Sequence, residues 1–319
     1  SSVAAGIVAE MEFEDSAPMV AEMEYDMAFN LLAEMDAGTA SGVVSLMEAE
    51  TAGHIMMAAE SYYVASEIFS HLTEECAAEV LGEMEWEPAA SILSHLEYEV
   101  SANALRLMDA ENAARILEHV EDYEDAAYIL GAMEYPDAAN VVGSMGVHAN
   151  LAILSYLEYG DQSGILQEVD HRQAADLLSK MDSEEASRVI LEDWEDVDAV
   201  IGCMDTSAAA EVIGNLDASA AVEVVAHLDY DCIASILEKM EHPVALSILT
   251  NMHASEDATE SLLQMTAQSA ANILTSGDSY GDAALLLSKM EYPNAAKMVS
   301  LMDSSDAAYL LSELEYDQS

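Results

Sequence analysis

The chain has 319 residues, of which 52% are apolar, and its 62 acidic residues face 8 Lys and Arg residues for a formal net charge of −54. The apolar content excludes an acidic disordered tail, which lacks the residues needed to bury a core. The charge argues against binding to nucleic acid or anionic lipid and favours cations and basic protein surfaces. A surface adapted to high salt is the other explanation that the composition leaves open.

The first part of the chain, residues 1–105, contains no Lys or Arg, since the first basic residue is Arg106. No apolar run reaches the ~18 residues of a membrane helix, so we do not expect a membrane-spanning protein. The chain begins with Ser1. Either a leader is removed or the sequence starts late, with further repeats upstream. With a removed leader, we expect a location in an organelle lumen, for example a plastid or thylakoid, or outside the cell.

A unit of 12 residues repeats along the chain, and four clear copies end at Met84, Leu96, Val120 and Leu314. We call the last apolar residue of each unit its anchor. In chain order the anchors are Met11, Met23, Met35, Met47, Leu72, Met84, Leu96, Met108, Val120, Met133, Met145, Leu157, Val169, Met181, Met204, Leu216, Leu228, Met240, Met252, Met290, Met302 and Leu314. Weaker units at Glu60, Trp194, Met265 and Gly277 bring the total to about 26.

Within a unit the apolar residues lie seven, four and three positions before the anchor. In the last unit these are Ala307, Leu310 and Leu311, followed by Leu314. This spacing is the stripe of an amphipathic helix, and we expect all four side chains to be buried. A helix of eight or nine residues is marginal alone in water, so neighbouring helices must cover the stripe. The sequence therefore predicts an all-α solenoid of short helices, continuous over residues 1–319 as a single array.

An acidic residue follows the anchor in most units, where it faces the negative end of its own helix dipole. It either lies near the start of the next helix or meets a cation or a basic partner. As candidate ligands for Ca²⁺ or Mg²⁺ we name six of these residues: Glu12, Glu24, Asp36, Glu48, Glu85 and Glu97.

Aromatic residues often come directly after this acid. The six candidates for an interaction surface are Phe13, Tyr25, Trp86, Tyr98, Tyr135 and Tyr159. Each ring either folds over a neighbouring helix or forms part of an aromatic and acidic ridge for a partner. His71, His95 and His119 are spaced by two repeats, and we interpret them as a solvated stripe that is too widely spaced to share one ion.

The motifs of common active sites are missing: the sequence has no Gly-rich phosphate loop, HExxH, GxSxG or EF-hand ligand string. A regular array of similar short helices also offers a long surface in place of a pocket where unlike groups converge. We therefore expect no enzyme and no organic cofactor.

The pattern of an acidic connector followed by Ala-Ala-x-x-Leu-Leu-x-x-Leu/Met is carried by residues 170–181 and 303–314. It resembles the N-terminal superhelical domain of MgtE-type magnesium transporters, and flagellar motor switch proteins of the FliG kind have a related superhelix. The resemblance implies a right-handed superhelix whose carboxylates can hold divalent cations. Because the chain has no transmembrane region and its array is longer than that domain, ion transport is not implied.

From these observations we expect a non-enzymatic acidic scaffold, such as a lumenal or extrinsic accessory subunit that docks on a larger membrane complex through a basic protein surface. The alternative is a superhelix that binds or senses Ca²⁺ or Mg²⁺ with low affinity.

Overall fold

The computed structural model describes residues 2–192, 194–252, 255–277 and 280–316. In these ranges the chain forms 26 α-helices and no strand, which confirms the all-α fold and the number of repeats. Most of the helices have eight to ten residues, as the 12-residue unit predicts, and connectors of a few residues join them. Since a helix of this length cannot bury its apolar stripe by itself, packing between repeats must hold the fold together.

The helices fall into two compact units, residues 1–169 and residues 170–319. The first unit contains α1 (Ser2–Ala9), α2 (Phe13–Ala21), α3 (Tyr25–Leu32), α4 (Ala37–Val44), α5 (Ala49–Met57), α6 (Tyr62–Phe69), α7 (Glu74–Gly82), α8 (Trp86–Leu93), α9 (Tyr98–Arg106), α10 (Ala110–Glu118), α11 (Tyr123–Gly131), α12 (Tyr135–Ser144), α13 (Val147–Leu154) and α14 (Tyr159–Glu168). The second contains α15 (His171–Leu178), α16 (Ser183–Leu191), α17 (Val197–Cys203), α18 (Thr206–Gly214), α19 (Ala218–Val225), α20 (Tyr230–Leu237), α21 (His242–Asn251), α22 (Ser255–Gln264), α23 (Ala267–Leu274), α24 (Gly281–Ser288), α25 (Tyr292–Val299) and α26 (Ser304–Tyr316). A single continuous array over residues 1–319 stays a prediction.

Within each unit a helix packs mainly against the helices two places before and after it in the chain. In the first unit, for example, α8 packs against α6 and α10, and α9 packs against α7 and α11. Each unit therefore contains two rows, one of odd-numbered and one of even-numbered helices. Residues about 24 positions apart in the sequence become neighbours in the same row.

Each helix has two apolar faces, and the two ends of the chain show which neighbour each face meets. In α8 the alanines and the aliphatic residues of both faces are fully buried. In α1, Val8 is buried while Ile7 is 62% exposed; in α26, Leu310 is fully buried while Leu311 is 49% exposed. Positions seven and four before the anchor thus pack on the preceding helix of the row, and positions six and three pack on the following one.

This arrangement corrects the expectation for Leu311, which lies three positions before the anchor Leu314. Its face of α26 points toward a following helix, and no described helix covers it. Leu310, one residue earlier, packs on the preceding helix and is buried. The periodicity alone does not separate the two leucines, because it identifies the stripe but not the neighbour that covers each side.

Small residues near the start of each helix allow the close approach that the rows require. At two of these positions a polar residue replaces an alanine and hydrogen-bonds to a carbonyl of the preceding helix. Ser101 Oγ donates to the Leu93 carbonyl at 3.0 Å, and Asn150 Nδ2 donates to the Val142 carbonyl at 2.9 Å. These bonds add a second donor to carbonyls at helix C-termini, which also accept the backbone N–H of Leu96 and of Met145.

Candidate functional site: acid and aromatic residues at the helix starts

The acidic residue after each anchor becomes the N-cap of the next helix. All six predicted metal ligands have this position: Glu12, Glu24, Asp36, Glu48, Glu85 and Glu97 are the N-caps of α2, α3, α4, α5, α8 and α9. Each carboxylate therefore lies beside the positive end of a helix dipole, where negative charge is stabilising. Of the two interpretations offered for the acid, its place near the start of the next helix is the one found in the structure.

Aspartate and glutamate behave differently at this position. Asp36 Oδ1 accepts the backbone N–H of Thr39 at 2.9 Å, and Asp36 Oδ2 accepts the Thr39 hydroxyl at 2.5 Å. These two bonds from Thr39 hold the pKa of the Asp36 carboxyl below its ordinary value. None of the five glutamates caps its helix in the described part of the chain. A glutamate side chain is one methylene longer, so its carboxylate extends past the amides and remains available to another partner.

The six predicted metal ligands do not come together. Each stands at the start of its own helix, and among the described residues no three His, Cys, Asp or Glu side chains are grouped so that they could hold a metal ion. Ca²⁺ takes six to eight oxygen ligands, and Mg²⁺ binds through one or two carboxylates with several of its own waters. Single carboxylates at separate helix starts are therefore better suited to bind a hydrated ion weakly than to coordinate an ion with several protein ligands. Binding of either cation stays a prediction.

The six predicted aromatic residues are each the first residue of a helix, directly after one of these N-cap glutamates. We call the pairs Glu12–Phe13, Glu24–Tyr25, Glu85–Trp86, Glu97–Tyr98, Glu134–Tyr135 and Glu158–Tyr159 the acid–ring pairs. In all six, the glutamate makes no cap hydrogen bond within the described residues. Each pair therefore presents an available carboxylate next to an aromatic ring.

Five of these rings lie against the next helix of their row, which is two helices later in the chain. Tyr25 stacks on His54 with ring centroids 5.2 Å apart, and the Trp86 and His119 centroids are 5.6 Å apart. Phe13 and Tyr135 lie over Gly42 and Gly164, where a β-carbon would overlap the ring. The Tyr98 ring stacks on Tyr128 at 5.1 Å. In these contacts each ring folds over a neighbouring helix, which was one of the two interpretations offered for the aromatic residues.

The same rings keep part of their surface in solvent. Trp86 is 40% exposed and Tyr25 is 44% exposed, and Phe13, Tyr98 and Tyr135 are exposed to a similar extent. Tyr159 is half-buried. A ring held on one side by its neighbour and open on the other is a rigid apolar surface. The second interpretation, a ridge for a partner, is therefore compatible with the first.

Trp86 already binds a guanidinium group of its own chain. The Arg115 Cζ lies 4.7 Å from the centre of the Trp86 ring, and an Arg115 guanidinium nitrogen is 2.8 Å from a Glu111 carboxylate oxygen. Cation–π contact and ion pairing therefore act together on one arginine. A cavity of about 580 Å³ lies beside the ring and is lined in part by Glu85, Glu87 and His119. This contact shows how a ring and nearby carboxylates can hold a basic side chain.

Sequence reasoning missed a set of hydrogen bonds between repeats, in which a tyrosine near the start of one helix donates to an aspartate in the helix two places along. The pairs are Tyr98–Asp125 at 2.9 Å, Tyr135–Asp161 at 3.1 Å, Tyr230–Asp257 at 2.8 Å and Tyr280–Asp306 at 2.8 Å. The aspartate raises the pKa of each tyrosine by accepting its hydroxyl hydrogen. The tyrosine and the aspartate of each pair are 26 or 27 residues apart in the sequence. This separation predicts a contact only once it is known that alternate helices pack against each other.

The predicted histidine stripe lies at the ends of α6, α8 and α10, which are consecutive helices of one row. His95 Nδ1 donates to the Ser91 carbonyl at 2.7 Å, and His119 Nδ1 donates to the Arg115 carbonyl at 2.7 Å. His71 makes the same bond to Glu67 at 3.0 Å. Each histidine therefore has its own partner on its own helix, as expected of separate residues at the edge of the fold.

Comparison with known proteins supports the resemblance stated from the sequence. The family model of the MgtE intracellular N domain matches residues 56–140 and, in a second overlapping match, residues 121–200. No curated protein matches the chain. In the described ranges, no helix has both the length and the apolar character needed to cross a membrane. The chain is therefore similar to the MgtE N domain over the middle of its sequence, with a repeated helical architecture that also extends to either side.

Proposed function

We propose, from its similarity to the MgtE N domain and from the acid–ring pairs, that this protein is a non-enzymatic acidic scaffold that docks on a basic protein surface. The acid–ring pairs carry the proposal, because each joins an available glutamate to a half-exposed ring on a fixed helix start. Lysine and arginine side chains are the groups that such a pair recognises, by ion pairing and by stacking on the ring.

The charge of the whole chain supports a basic partner. Its 62 acidic residues far outnumber its 8 Lys and Arg residues, and residues 1–105 contain 21 acids with no base among them. The ion pairs of the described residues include Arg106–Glu74 and Arg115–Glu111, which neutralise a small part of this charge. A surface with such a field attracts basic proteins from a distance and accelerates encounter. An accessory subunit of a larger assembly with a basic docking face is the role that this chemistry fits.

The contact between Arg115 and Trp86 supports the proposal at the level of one side chain. In it, a guanidinium lies over the ring of an acid–ring pair while a carboxylate holds its charge. A partner's arginine at another pair, such as Glu97–Tyr98, would find the same two elements. Repetition along the rows would then give a partner several weak contacts in place of one strong contact, and linked weak contacts combine into useful affinity.

Tryptophan fluorescence tests the proposal directly. The chain has two tryptophans, and Trp194 is buried while Trp86 is half-exposed. In a Trp194→Phe protein, Trp86 reports its own surroundings, and an octa-arginine peptide should change its emission saturably. Glu85→Gln should weaken this binding by about two- to fivefold, the range for a surface ion pair.

The control variant is Glu83→Gln, which removes an equal charge from an exposed residue outside the acid–ring pairs. It should weaken binding less than Glu85→Gln, and a matched acidic peptide should leave the emission unchanged. An emission that does not respond to the arginine peptide, or equal losses in both variants, would contradict a role for the acid–ring pairs.

Weak binding of Ca²⁺ or Mg²⁺ is the second candidate function. The observation in its favour is that the candidate glutamates lie uncapped at separate helix starts, where each can hold a hydrated cation. The cations would then screen the repulsion between neighbouring repeats.

A further inference from the structure

We propose that two adjoining cavities on α19, in the second unit, form a docking site for a basic peptide segment of a partner protein. This inference rests on the proposed function, to which it adds a site and the chemistry of the segment that fills it. It concerns residues away from the acid–ring pairs named above.

The first cavity has a volume of about 520 Å³ and an apolar floor. The cavity is lined by Val222 of α19, by Ala226 directly after that helix, by Ile233 of α20 and by Met252 directly after α21. Ile233 and Met252 are part of the buried core, whereas Ala226 is exposed at the cavity wall. The floor is therefore a fixed apolar surface that is open to solvent from above.

Three carboxylates stand around this floor, those of Glu223, Asp229 and Asp257. Asp229 accepts the backbone N–H of Cys232 at 2.7 Å, and Asp257 accepts the Tyr230 hydroxyl at 2.8 Å. Both are thereby held in place, and each still has lone pairs for a further donor. Glu223 is exposed and, within the described residues, makes no hydrogen bond or ion pair.

A second cavity of about 580 Å³ lies on the other side of Glu223, which lines both. It contains further carboxylates from Glu192, Glu195 and Asp198. Leu191 lines it as well and is 54% exposed. The two cavities therefore share the carboxylate of Glu223, and each is lined by apolar residues next to acidic ones.

This lining selects a particular kind of ligand. An aliphatic stem that ends in a positive charge, as in lysine and arginine, can bury its methylenes on the floor and place its charge among the acids. A metal ion fits less well, because in the described part of the chain no three ligating side chains converge. Two such cavities separated by one side chain suit an extended peptide that carries more than one basic residue.

Two variants of the full-length protein test the site, with a fluorescently labelled peptide of alternating lysine and leucine as the probe. Glu223→Gln removes the shared carboxylate and should weaken binding about tenfold. Ala226→Leu fills the first cavity from its exposed wall and should weaken binding by a similar factor without lowering the melting temperature. Binding is measured by fluorescence anisotropy at low salt.

Each variant has a matched control. Glu211→Gln removes the same charge from an exposed glutamate of α18 in the same unit, which lines neither cavity and has no aromatic residue next to it in the sequence. Ala132→Leu enlarges an exposed alanine at the same place, the end of a helix, in the first unit. We expect both controls to bind the probe as the unchanged protein does.

The outcomes separate this site from the proposed function. If the probe binds and all four variants bind it equally, the α19 site is wrong and the binding belongs elsewhere on the acidic surface. If the unchanged protein does not bind the probe at low salt, the α19 site and the docking function both fail. Loss of binding in Glu223→Gln and Ala226→Leu alone supports the site.

Discussion

One methylene group separates the N-cap aspartates that bond to their own helix from the N-cap glutamates that do not, although Asp196 is an aspartate without a cap hydrogen bond to described residues. Asp109 Oδ1 accepts the backbone N–H of Asn112 at 3.0 Å, and Asp109 Oδ2 accepts the Asn112 side-chain amide at 2.7 Å. Glu97 has the same place before α9 but caps no amide of the described residues. Aspartates therefore stabilise their helices directly, while glutamates leave their charge to solvent or to a partner.

At this scale we predict that Asp109→Ala lowers the stability of α10 by about 1 kcal/mol, the usual cost of losing an N-cap side chain. Glu97→Ala should have a much smaller effect on α9, because it removes no cap. Amide hydrogen exchange in the first turns of α10 and α9 measures both changes. Equal effects in the two helices would show that Asp and Glu at the N-cap contribute equally to helix stability.

At the scale of the helix, stability depends on which row neighbour covers each face. Leu310 and Leu311 are consecutive leucines of α26, and a sequence pattern treats them alike. The fold buries Leu310 against the preceding helix of its row and leaves Leu311 49% exposed. The two residues thus form a natural comparison within one helix.

We expect Leu310→Ala to destabilise α26 by about 2–5 kcal/mol, the range for truncation of a buried leucine. Leu311→Ala should cost less than half as much, since about half of its surface is already in water. Nearest-neighbour packing should confine the damage to the last repeats. Hydrogen exchange in α24 and α26 reports it, and a larger loss from Leu311→Ala would reverse the assignment of the two faces.

The helices and their buried stripe could be predicted from the sequence because the 12-residue spacing repeats with little variation. The contacts between helices of one row could not, because Tyr98 and Asp125 meet only when alternate helices stack. The acid and aromatic residues of the candidate site were identified from their place after the anchor. That Asp36 caps its helix and Glu48 does not depends on side-chain geometry, which no spacing reveals.

At the scale of the whole molecule, charge repulsion between neighbouring repeats opposes the packing of the rows. Residues 1–105 carry 21 acids and no Lys or Arg, so no Lys or Arg side chain of this segment offsets the repulsion between its carboxylates. Salt screens such charges over a distance of about 10 Å at 0.1 M. Screening should therefore stabilise this part of the chain more than the rest.

We predict that added NaCl raises the melting temperature, as measured by circular dichroism. We also predict that NaCl slows amide hydrogen exchange most in α1–α9. MgCl₂ and CaCl₂ at equal ionic strength should raise the melting temperature by the same amount, because no described residues form a ligand cluster for a divalent ion. A clearly larger rise with either divalent salt would favour the cation-binding function over docking.

We expect carboxylates beside aromatic rings, more than total charge, to bind a basic partner. To test this, Glu12, Glu24, Glu85 and Glu97 are replaced together with glutamine, and this protein is compared with one in which Glu22, Glu34, Glu50 and Glu83 are replaced. All eight residues are exposed, and both variants lose four charges from residues 1–105. Isothermal titration with octa-arginine at low salt gives the affinity of each.

We expect the first variant, which lacks the N-cap glutamates of four acid–ring pairs, to bind the peptide at least fivefold more weakly than the second. Both should retain the helical spectrum of the unchanged protein, since neither set makes cap hydrogen bonds or lies in the core. Equal affinities for the two variants would contradict the account, because binding would then follow net charge alone.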